Sequence, residues 1–126
     1  MRLFWICLGG AFGSGARYLI SGWVLDYFGP AFPSGTLAVN TIGSFLIGVL
    51  MFLGVEAGMM SPTLRLALTT GVMGGFTTYS AFSYETMRLL QDGAGTLALL
   101  NVLATLVTCL VACFLGWGAA QLFTGA

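Results

Sequence analysis

The sequence predicts an all-α integral membrane protein of four transmembrane helices, the third of them broken. Three observations carry that expectation. The 126 residues are 58% hydrophobic and only 6% charged, with a mean hydropathy of +0.98, whereas soluble domains carry about 25% charged residues. The apolar residues fall into four runs of membrane-spanning length, for which a helix needs about 20 residues. The third run is interrupted at mid-length by Gly74-Gly75 and a cluster of hydroxyl side chains. The chain, residues 1–126, reads as a single integral membrane domain.

The first helix is expected at about residues 3–28, interrupted by Arg17 and closed by Asp26 and a turn-rich stretch with Gly29, Pro30 and Pro33. Its apolar stretch is long enough to span and no polar mature domain follows, so it reads as a retained helix rather than a signal peptide. The second, about 35–55, contains no charge until Glu56. The third, about 64–90, follows Ser61-Pro62, a helix-start signal, and ends before Asp92-Gly93. The fourth, about 96–123, is again free of charge.

Four arginines (Arg2, Arg17, Arg65, Arg88) balance four acids (Asp26, Glu56, Glu85, Asp92), and lysine and histidine are absent. The count excludes a soluble enzyme and a basic nucleic-acid surface. With Cys7, Cys109 and Cys113 as the soft ligands, one chain assembles neither a zinc site nor a histidine triad. An odd cysteine count in apolar surroundings gives no disulfide framework. Orientation follows the arginine bias between the two sides. Arg2 and Arg65 fall on one side, Arg17 and Arg88 towards the other, so the chain is expected to insert both ways. Dual topology permits an antiparallel homodimer with its twofold axis in the membrane plane.

Glycines and small residues at helical spacing, Gly9/Gly13 and Ser44/Gly48, read as close helix crossings. Thr36, Asn40 and Ser44 share one face of the second helix, and Asn101, Thr105 and Thr108 form a stripe on the fourth. Each stripe either pairs between helices or lines a polar passage. In the third run the glycines cost about 1 kcal/mol each relative to alanine, and the adjacent threonines and serines compete for backbone groups, so a break is expected near 74–78. Unwound carbonyls at that depth coordinate cations in other membrane proteins, and the competing reading is a glycine-mediated crossing. Beyond the break, Tyr79 and Phe82 share a face, and aromatic ring edges carry positive charge that attracts anions. Glu85 is spaced to pair with Arg88, and Arg17 either snorkels or sits in an aqueous vestibule.

Gly9-Gly10-Ala11-Phe12-Gly13 with Arg17-Tyr18, Gly35-Thr36-Leu37-Ala38-Val39-Asn40, and Gly74-Gly75-Phe76-Thr77-Thr78-Tyr79-Ser80-Ala81-Phe82-Ser83 resemble, in order and spacing, the Fluc (CrcB) fluoride channels. The resemblance covers essentially the whole chain. It implies an antiparallel dual-topology homodimer in the cell inner membrane with two fluoride pathways and a central structural sodium ion. By position, the sodium carbonyls fall on Gly74 and Thr77, the pore asparagine on Asn40, the vestibule arginine on Arg17, and the two ring edges on Tyr79 and Phe82. Glu85 matches an acidic position beyond them. Tyr79 stands where the family commonly has phenylalanine. Ala81 lacks a hydroxyl often found there, which shifts the polar lining onto Ser80 and Ser83. The implied activity is passive fluoride export that relieves cytoplasmic toxicity. The rival is a small multidrug-resistance-type, proton-coupled exporter, which needs a membrane-embedded carboxylate in its first helix; here that helix offers Asp26, at its end.

The residues support anion passage independently. An anion leaving water for a low-dielectric interior loses tens of kcal/mol by idealised Born reasoning, so donors must replace its hydration. Asn40, Ser80, Ser83, Thr36 and the Tyr79 hydroxyl supply them without a fixed charge that would trap the ion.

Overall fold

A computed structural model describes residues 1–125; Ala126 lies outside the described residues. Helix α1 spans Arg2–Phe28 and stops where Gly29 takes φ 86°, a conformation open to glycine, with its N–H returning to the Leu25 carbonyl at 2.7 Å. Helix α2, Ser34–Met51, runs directly into a π-helical turn at Phe52–Glu56. The third stretch is composite. Helix α3 (Pro62–Leu66) is capped by Ser61, whose Oγ accepts the Leu64 N–H at 3.1 Å. It continues through a π-helical segment, Ala67–Met73, into α4 (Gly74–Phe76), completing a first half-helix. Thr77 and Thr78 are extended, and the second half-helix, α5, covers Tyr79–Gln91. Helix α6, Gly95–Thr124, closes the bundle. All regular structure among the described residues is helical.

Three unbroken helical stretches, Arg2–Phe28, Ser34–Glu56 and Gly95–Thr124, are each long and apolar enough to cross a membrane. The third expected crossing is divided between the two half-helices. Gly74 and Gly75, expected within the unwound part, remain helical, and the chain departs from the helix at Thr77 and Thr78. The β-branched threonines suit extended backbone, and Thr78 caps the helix that follows.

The bundle is held by backbone-to-backbone crossings. A Cβ at Gly9 would lie 2.5 Å from the Ala67 carbonyl oxygen, one at Gly71 2.7 Å from that of Ile6, and one at Gly75 2.5 Å from that of Gly10. Real side chains cannot occupy those positions, so α1 and the first half-helix touch through bare glycine faces. A second crossing joins α2 to α6, with Gly48 on the Cys113 carbonyl and Gly116 on that of Phe45. Phe52 and Trp117 lock its far end edge-to-face, ring centroids 5.1 Å apart. Close approach of this kind replaces the hydrophobic effect, which is weak between helices surrounded by lipid.

Candidate functional site

The two crossings place the break beside α1 on one side and α2 on the other. Asn40, almost fully buried on α2, faces Thr78. Its Nδ2 donates to the Thr78 carbonyl at 3.0 Å, and its Oδ1 accepts the Thr78 N–H at 2.8 Å. One amide side chain thereby satisfies both backbone groups of the extended residue, each of which would cost about 1–3 kcal/mol if left unpaired. Asn40 keeps one further N–H.

That arrangement decides which carbonyls are freed. In an unbroken helix the Thr78 N–H would serve the Gly74 carbonyl and the Ala81 N–H that of Thr77. Here the first goes to Asn40, and the second to the Thr78 hydroxyl at 3.1 Å. Gly74 and Thr77 therefore lose their helical donors to side chains. Both line a cleft of about 440 Å³, shared with Asn40, Ser44, Thr78, Tyr79 and Thr105. The neighbouring Gly75 carbonyl turns the other way and accepts Arg17 Nε at 2.9 Å. A hard monovalent cation takes oxygen ligands of the kind that Gly74 and Thr77 present, so the donor set fits sodium.

Tyr79 and Phe82 lie on the first turn of α5, ring centroids 5.5 Å apart and planes at 66°, with Tyr79 80% exposed. The Ser80 hydroxyl is 3.3 Å from that of Thr78, and Ser83 Oγ donates to the Tyr79 carbonyl at 3.0 Å. The proton of Ser83 is thus engaged within its own helix, whereas Ser80 stands at the open start of α5. Glu85 does not pair with Arg88. That arginine turns instead to Asp92, at 3.8 Å on the exposed end of α5. Glu85 lines a smaller cavity of about 180 Å³ with Tyr18, Ser21 and Thr36, and among the described residues its buried Oε1 has no hydrogen-bond partner.

The two polar stripes divide. On α6, fully buried Asn101 donates to the Thr86 hydroxyl at 2.9 Å, and Thr108 pairs with Thr41 at 2.9 Å, so both tie helices together. Thr105 faces the cleft with its Oγ1 unpaired among the described residues. On α2, Asn40 splints the break, Ser44 lines the cleft and Thr36 faces Glu85's cavity. Sequence reasoning missed Thr78, whose signal was present: a threonine preceding a helical run by one residue is an N-cap. It also missed Arg17's attachment to Gly75, which no spacing within α1 encodes.

A multi-pass helical protein whose broken helix leaves freed carbonyls beside neutral polar side chains in an open cleft belongs to the class of membrane ion-handling proteins. The comparisons make the assignment particular. A family model described as CrcB-like protein, camphor resistance (CrcB), matches residues 4–117. A fluoride-specific ion channel FluC from Anaeromyxobacter sp. (strain K) is 56% identical over 113 residues, 90% of each chain. The protein of the same name from Sorangium cellulosum (strain So ce56) is 53% identical over 120 residues, 95% of this chain and 94% of its own. The chain belongs to the CrcB family.

Proposed function

We propose that two copies of the chain, inserted in opposite orientations in the cell inner membrane, form a channel that passes fluoride down its electrochemical gradient and relieves cytoplasmic fluoride toxicity. Identity of 53–56% to fluoride-specific channels across nine-tenths of the chain carries this reading. The geometry agrees with it. Asn40's remaining N–H, the Ser80 hydroxyl and the Tyr79–Phe82 pair can replace the water around a small anion in sequence, none of them carrying the formal charge that would hold it. Arg17 meets the third stretch at Gly75, and Glu85 meets α1 and α2 farther along it, in the cavity with Tyr18, Ser21 and Thr36. Tyr79 and the cleft lie open on one surface of the single chain, as a second copy closing over them requires.

At the dimer centre, the Gly74 and Thr77 carbonyls of both copies would hold a sodium ion, which supplies fixed positive charge between the two pathways. The exporter reading finds no support, because the single acid on α1, Asp26, lies at the helix end. The deciding experiment loads liposomes carrying the purified protein with potassium fluoride or potassium chloride, adds a potassium ionophore so that the cation leaves with the anion, and reads the released anion with an ion-selective electrode. Rapid fluoride efflux, negligible chloride efflux and indifference to an imposed pH gradient are expected. Transport that requires the proton gradient would overturn the channel reading.

A further inference from the structure

Arg17 has a role at the break that a vestibule position does not describe. Its Nε reaches 58 residues along the chain to the Gly75 carbonyl at 2.9 Å. No carboxylate pairs with it among the described residues, where the single salt bridge is Arg88–Asp92. The backbone around this contact is tightly constrained: Gly75 packs directly on the Gly10 carbonyl and on Ser14, one turn before Arg17 on α1. Around the break, successive carbonyls of the third stretch consequently divide by direction. Gly75 faces α1 and is taken by Arg17, whereas Gly74 and Thr77 line the cleft and have lost their helical donors. A loose helix end offers several carbonyls in interchangeable positions, because the last turn frays. Here one is pinned away, and two are left in place.

We propose that Arg17 is a positioning residue for the cation site: by pinning the Gly75 carbonyl towards α1 it fixes the turn that presents the Gly74 and Thr77 carbonyls to sodium. The inference rests on the sodium reading above. It also runs against what charge alone dictates. A guanidinium near a cation site repels the cation, so by electrostatics its removal tightens sodium binding. By positioning, its removal loosens sodium binding.

That opposition of sign makes the test decisive. A ligand that binds the folded dimer raises its stability with concentration. The thermal midpoint of the purified, detergent-solubilised dimer is therefore followed while sodium replaces N-methylglucamine at constant ionic strength. The readout is the sodium concentration giving half of the stabilisation. Arg17→Met, with neither donor nor charge, is expected to raise that concentration at least tenfold. Arg17→Lys, which keeps a donor of similar reach, is expected to stay within about threefold of the parent. If Arg17→Met yields no dimer, Arg17→Leu, which likewise has neither donor nor charge, takes its place with the same expectation. A dimeric Met or Leu variant with an unchanged or lowered sodium midpoint overturns the positioning role, even if its melting temperature falls equally at every sodium concentration. A parent dimer indifferent to sodium would overturn the sodium reading itself, and the role of Arg17 with it.

Discussion

Phe82 and Tyr79 test the chemistry one ring at a time. Phe82→Ile removes a positive-edged ring and leaves an apolar side chain of similar membrane compatibility, so the fold should survive and fluoride efflux should fall by at least tenfold. Tyr79→Phe deletes only a hydroxyl. The rings pack edge-to-face at 66°, a contact that needs no hydroxyl, so on the ring-edge reading this variant is expected to conduct as well as the parent or better. A clear loss would instead place the hydroxyl in direct contact with fluoride. Both variants need to be shown dimeric by size-exclusion chromatography before liposome efflux is compared. A dimeric Phe82→Ile channel with parental efflux would remove Phe82 from the pathway.

At the scale of the element, the glycine crossing between α1 and the first half-helix sets the position of everything downstream. Gly75→Leu would drive a branched side chain into the Gly10 carbonyl and Ser14, and neither backbone can retreat without moving its helix. The expected result is loss of the dimer on size-exclusion chromatography together with loss of flux; an assembled, conducting Gly75→Leu protein would contradict the close crossing. The sequence announced this crossing through small residues four apart, and the helix ends through Gly29, Ser61-Pro62 and Gly93. The general place of the break was legible too, because Gly74-Gly75 followed by hydroxyl residues weakens a helix locally. Its exact residues were not. Glycine lowers helix propensity without forbidding the helix, and packing against α1 keeps Gly74–Phe76 wound while Asn40, remote in sequence, stabilises the extended Thr77-Thr78. The two π-helical segments were equally hidden, since they arise from packing register rather than residue type. Likewise, spacing placed Asn101, Thr105 and Thr108 on one stripe but could not tell which would find partners across the interface.

For the whole molecule, the balanced arginines make orientation the quantity to perturb. Appending two lysines to the C-terminus should favour the orientation that keeps that end cytoplasmic, deplete antiparallel pairs and lower fluoride tolerance of expressing cells. Site-specific labelling from each side of the membrane would show the shift. Unchanged labelling and unchanged tolerance together would count against dual topology. Co-expression with a variant biased the other way, carrying lysines in the loop after Phe28, should restore tolerance by supplying the missing partner.

The π-helical segment Ala67–Met73 also has a genetic consequence. An i→i+5 turn holds one more residue than the α-helix it interrupts, so it gives the gene a place where a codon can be lost in frame. Deleting Thr70, which is exposed within that segment, would let the turn relax to α-helical pitch with the Ser61 cap and the Thr77-Thr78 break still in register. Deleting exposed Leu103 from the regular α6 would rotate every later residue by about 100° and turn Gly116 away from α2. The shortened third stretch should still yield a dimer, whereas the shortened α6 should not, and comparing the yields of the two purified deletion proteins would show whether length variation is tolerated where the helix already carries a surplus residue.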